Sequence, residues 1–307
     1  MNFTTANSTT TAPATPGGVR ALGWLAAAGT LPYLTLKIGW LAGGTAGVRD
    51  PGFLADPAIV AANAVTFAMD LVVIGLALAL THRWGDRLPV WLVLLPVWVG
   101  TGFLVPMVVS IMPAITVETL SGGLHSTAFE PWLQPLVYGG FAWQGVFLCA
   151  AFAAHSVRRW SRVVTASTPP AAGLVPFLRV VTAGGCVMAA ASALLHLVAG
   201  LASGSAVALG VESVSGALAV AGAAGVVALV RARPTGRWAA VAAAWAGSAA
   251  MFAWGLYTVT VRMTTTALSG GSDPAAGAAQ VTGLLGGFAL AFAGMIALVG
   301  AGESRRG

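Results

Sequence analysis

Residues 32–40 read PYLTLKIGW, and the lysine among them decides how the chain is to be understood. Lys37 is the only lysine in 307 residues; the other fourteen basic residues are arginines. It sits inside an apolar run from about residue 20 to residue 44. A helix of about 20 apolar residues crosses a hydrocarbon core of roughly 30 Å. The stretch therefore reads as a membrane span that carries a charge at bilayer depth, where a charge needs a partner, a wet cavity or a function.

The rest of the chain agrees with that reading. Hydrophobic residues make up 57% of it and charged residues only 8%, against about 25% charged in soluble domains. Apolar runs long enough to span recur at about 20–44, 58–81, 88–112, 132–155, 174–202, 207–230, 237–261 and 279–301. The expected fold is all-α, a polytopic transmembrane bundle of eight helices. Twelve arginines fall on one side of these spans, and only Arg49 and Arg262 on the other. Positive loops stay cytoplasmic, so the expected location is the inner (plasma) membrane with both termini in the cytoplasm. Arginines sorted by sidedness form no nucleic-acid-binding face. The expected partners are the lipid bilayer and a small-molecule ligand or substrate, with no nucleic acid.

Residues 1–18, polar, Thr-rich and uncharged, are expected to form a disordered cytoplasmic tail. Pro96 and Pro106 are expected to kink the third span, and residues 113–131, PAITVETLSGGLHSTAFEP, to form the longest external loop. Cys149 and Cys186 lie in apolar segments without any CxxC spacing, which gives no disulfide framework or zinc site. No cofactor and no metal are expected; Glu118, His125 and Glu130 are loop residues whose spacing is a weak metal signal.

The two halves echo each other. YGGFAWQGVFLCAAFAAHSVRR (138–159) aligns without a gap to LGGFALAFAGMIALVGAGESRR (285–306). Lys37 follows Arg20 by seventeen residues, and His196 follows Arg179 by seventeen. The expectation is a tandem repeat, with a four-helix unit at 19–160, a cytoplasmic linker at 161–173 and a second four-helix unit at 174–307. Most polar residues and eight of the eleven tryptophans fall in the first unit. In the second, only His196 and Glu212 stand out.

At 1.5 Å per residue, Lys37 lies about 25 Å from the inner surface and Asp70 about 20 Å. Side chains lean toward the N-terminus of their helix. On two antiparallel spans these two lean toward each other, and an ion pair is expected. Asn63, Thr66 and Asp70 follow at i, i+3 and i+7 on one helical face. Thr101 and Gln144 reach similar depth, and Trp40, Trp98 and Trp143 would supply apolar walls. A polar cluster with aromatic walls is what a small-molecule site requires. In an enzyme Asp70 would be the proton donor, and the tryptophan faces would stabilise cationic intermediates. A third reading makes the chain a structural or partner-binding subunit.

PYLTLKIGWLAGG, ANAVTFAMDLV, LPVWLVLLPVWVGTGFLVP and YGGFAWQG resemble segments of the eight-span membrane proteins common in actinobacteria, a group that brings no established activity with it. A fainter likeness, in architecture alone, is to membrane-embedded bacterial terpene cyclases. It implies an isoprenoid substrate and a proton-initiated cyclisation, since DDxxD and NSE-type metal motifs are missing from the chain.

Overall fold

A computed structural model of the chain describes residues 17–122, 128–165, 169–233, 235–263 and 274–303. The described residues are helical, with a single isolated β-bridge between two loops. The long helices are α1 (Gly17–Leu41), α3 (Pro57–Thr81), α4 (Val90–Pro106), α6 (Leu133–Thr165), α7 (Val175–Ala202), α8 (Ala206–Val230), α9 (Arg237–Met263) and α10 (Pro274–Glu303). Two short ones, α2 (Pro51–Ala55) and α5 (Met112–Leu120), complete the order. Asp50 and Asp56 cap α2 and α3, each carboxylate accepting the N–H two residues on, with proline in the first turn of both helices.

Among the described residues, seven helical segments are long and apolar enough to cross a membrane. Helix α1, at 25 residues, is long enough but carries Arg20, Pro32, Tyr33 and Lys37 and falls outside the seven. Its outer surface is nevertheless apolar, with Trp24, Leu25, Leu31, Ile38 and Leu41 exposed.

Three expected boundaries move. The third span does not end near residue 112: it runs from Val90 to Leu120, so the first eight residues of the expected external loop are helical. Pro106 and Pro113 are both absorbed without ending it, because Met107–Ile111 between them forms a π-helical turn. Such a turn accommodates the hydrogen bonds that proline removes. Helix α6 likewise continues to Thr165, past the expected linker start, with a break in helical geometry at Trp160 (φ −125°, ψ 22°). The expected tail at 1–18 lies outside the described residues except for Gly17 and Gly18, which open α1.

The two sets of long helices pack differently. Helices α7, α8, α9 and α10 form a closed ring in which each touches both neighbours extensively. Glycines set the close approach on every edge: an added Cβ at Gly216 would press on Ala193, at Gly225 on Ala244, at Gly255 on Leu284 and at Gly185 on Leu290. Small residues at helix crossings are how helices associate without a hydrophobic driving force. In the first set, α1 packs on α3 and α6, but α3 and α4 barely touch. Helix α4 turns instead to α9, where Gly102 lies against Ala249 and Ala253.

Candidate functional site

The expected ion pair forms. Lys37 Nζ on α1 donates to Asp70 Oδ2 on α3 at 2.7 Å. The lysine side chain is fully buried and the Asp70 side chain is 8% exposed. Four residues back along α1, one helical turn, Tyr33 places its ring 3.8 Å from the ammonium. Lys37 thus sits between a carboxylate and an aromatic face, both of which favour the cation. The aromatic lining continues outward: Tyr33 meets Phe141 edge-on at 5.2 Å and Trp40 at 6.2 Å, and Phe141 meets Tyr138 at 6.2 Å. Since snorkelling to the interface would expose Lys37, the inward pairing is the arrangement this fold adopts.

On the same face of α3, Thr66 donates back to Ala62 O at 2.8 Å. Asn63 is half-buried, and its amide makes no hydrogen bond among the described residues. The remaining predicted site residues separate into other places. Gln144 is buried where α6 crosses α1 at Gly29, two turns from Lys37, and its Oε1 has no partner. Trp143 is half-exposed on the outside of the bundle, its indole donating to Leu25 O at 2.9 Å. Trp40 donates to Ala46 O at 2.9 Å and holds the loop after α1.

Trp98 and Thr101 belong to the α4–α9 contact and not to the Lys37–Asp70 neighbourhood. Trp98 donates to Ser248 Oγ at 3.3 Å, and Trp245 donates to Thr101 Oγ1 at 2.8 Å. Trp98 also lies over Phe252 at 4.8 Å. Depth alone placed these two beside Asp70; the direction in which α4 faces takes them to the other half.

Two features went unforeseen. Tyr33 was not among the candidate residues, although its i−4 spacing from Lys37 was the signal that would have found it. His196 and Glu212 were noted singly, and the structure joins them: His196 Nδ1 contacts Glu212 Oε2 across α7 and α8. Each set of helices therefore carries a contact between a basic side chain and a carboxylate on its first two long helices. The two are not equivalent, since the Glu212 side chain is 27% exposed.

Among the described residues, no three His, Cys, Asp or Glu side chains converge as a metal site requires. Glu130 pairs with Arg49 at 3.1 Å, and His125 lies outside the described residues. Two open depressions lie away from Lys37 and Asp70. One is at the start of α9, and the other runs between α5 and the beginning of α8. The ion pair is thus a closed contact in this conformation.

Comparison of the chain with protein-family models, with curated proteins and with solved structures returns no match. What the sequence and the fold establish together is a helical, multi-pass membrane protein.

Proposed function

We propose that the chain is an eight-span protein of the plasma membrane whose first four-helix unit binds or transports a small, partly lipophilic molecule at the Lys37–Asp70 pair. Helix α1 is the eighth span in this reading, and its exposed apolar residues and its length support that count. The arginine asymmetry supports cytoplasmic termini. Matching neighbour patterns support the tandem repeat: α1 with α3 and α6 in one half corresponds to α7 with α8 and α10 in the other.

The observation that carries the functional reading is a buried ion pair with unused polar capacity beside it. Lys37 and Asp70 meet at 2.7 Å, and on the same face of α3 the Asn63 amide has no hydrogen-bond partner among the described residues. A charge at the bilayer centre costs at least ~2.5–3.5 kcal/mol on insertion scales, so a pair there is retained for a reason. Asp70 is the ligand-anchoring or coupling carboxylate, and Lys37 is the internal cation that an incoming ligand or proton displaces. Because α3 and α4 barely touch, access is from the side of α3. The enzyme reading asks Asp70 to donate a proton, whereas here it accepts a hydrogen bond from an ammonium; binding is the better fit.

The test compares Asp70→Asn with the double variant Lys37→Met/Asp70→Leu in uptake and efflux assays over a panel of lipophilic amines and acids. Loss of transport in both variants at unchanged membrane abundance is expected. A double variant that folds and handles every compound as the parent does would make the pair a structural tie and end this reading.

A further inference from the structure

At the arginine-rich end of the bundle a cavity of about 520 Å³ is walled by Thr165 and by the first residues of α9, from Gly236 to Ala239. Gly236 enters the helix with φ +69°, a left-handed conformation suited to glycine. The first backbone bond into α9 runs from Ala240 N–H to Gly236 O at 2.9 Å. The N–H groups of Arg237, Trp238 and Ala239 therefore have no acceptor within the helix, and no acidic residue stands in its first turn. A helix N-terminus of this kind carries partial positive charge and favours an anion.

A second, independent observation lies in the same cavity. Arg237 is 7% exposed, and its Nε donates to Val164 O at 3.0 Å. That bond fixes the guanidinium, Arg237 lines the cavity, and its Nη groups make no hydrogen bond among the described residues. A guanidinium so deeply buried calls for an anionic partner, and its fork matches the oxygens of a phosphate. Trp238 beside it is 43% exposed, an amphipathic indole of the kind found at headgroup level. Arg162, Arg231 and Arg233 are exposed at the same end and raise the local potential for anions.

We propose that this cavity is a binding site for the phosphate of an anionic phospholipid. The phosphodiester oxygens accept from the free N–H groups of α9 and from Arg237 Nη, and the acyl chains run along α9 past Trp238. The site is separate from Lys37–Asp70, so either proposal can fail without the other.

The full chain, taken from vesicles of equal phosphatidylglycerol and phosphatidylcholine, is examined by native mass spectrometry. One phosphatidylglycerol per chain should be retained in preference to phosphatidylcholine. Arg237→Gln and Ala239→Asp should each lower that retention at least roughly tenfold. Ala239→Asp is the cleaner arm, because a carboxylate in the first turn suits the helix and leaves the fold intact while repelling the lipid. Equal retention of the two lipids, or phosphatidylglycerol retention unchanged in Ala239→Asp, would overturn the proposal. Inorganic phosphate separates the two sources of the same chemistry: the lipid must survive millimolar phosphate, and its complete displacement would assign the cavity to the free ion.

Discussion

The second set of helices is a closed ring with glycine contacts on all four edges, whereas the first is a ring with one edge missing. Helices α8 and α9 pack along each other, but α3 and α4 barely touch, and α4 leans across to α9 instead. The polar residues follow the same division. The tight half keeps one contact, His196–Glu212, with a partly exposed carboxylate. The open half keeps a sealed Lys37–Asp70 pair, an Asn63 amide with no partner among the described residues, and an aromatic lining. Buried polar atoms without a partner occur in both sets among the described residues, but the fully buried lysine and its carboxylate belong to the loosely packed one.

The sharpest way to break this comparison is to remove one charge. Lys37→Met leaves Asp70 buried and unpaired, and should destabilise the protein by about 3–5 kcal/mol, read from thermal unfolding in detergent. Adding Asp70→Leu to it should restore most of that loss. His196→Leu in the second half should cost distinctly less, because Glu212 reaches solvent; equal losses would erase the distinction between the pairs.

Overpacking probes the edges next. Gly225→Val and Gly255→Val press a side chain onto α9 and α10 respectively, and each should cost about 1–3 kcal/mol. Gly75→Val and Gly100→Val on α3 and α4 meet nothing within 4 Å and should leave the unfolding midpoint nearly unchanged. The same assay decides both.

Smaller still is the tie between halves. Thr101→Val removes the acceptor of Trp245 and should cost about 0.6–1.7 kcal/mol, the range of interhelical hydrogen bonds in membranes; a double-mutant cycle with Trp245→Phe isolates it. The smallest effect is expected at Arg49→Ala, whose partner Glu130 is as exposed as itself. An exposed pair of this kind contributes about 0–1 kcal/mol, and denaturant titration should barely register its loss.

Much of this was legible in the sequence, for definite reasons. Apolar runs reveal spans because lipid permits nothing else, and Lys37 and Asp70 could be matched because depth and side-chain lean are both set by helical geometry. What could not be read was azimuth. Helix α4 is apolar nearly all round, so no stripe shows which neighbour it prefers; small-residue fit at Gly102 decides that. This is why Trp98 and Thr101, at the right depth, belong to the contact with α9. Pro113 was misleading for another reason: proline ends a helix when its lost hydrogen bond has no substitute, and the π turn ahead of it supplies one.

One modest feature constrains how the open half can move. Between α1 and α6 the loops are stitched together: Arg49 N–H donates to Ala128 O and Glu130 N–H to Gly47 O, both at 2.9 Å. With Arg49 and Glu130 paired over them, this latch binds the ends of α1 and α6 into one body. A gate in the first half cannot then be hinged between those two helices. On the proposed binding role, α3 is then the helix whose displacement would separate Asp70 from Lys37 while the α1–α6 tie stays intact.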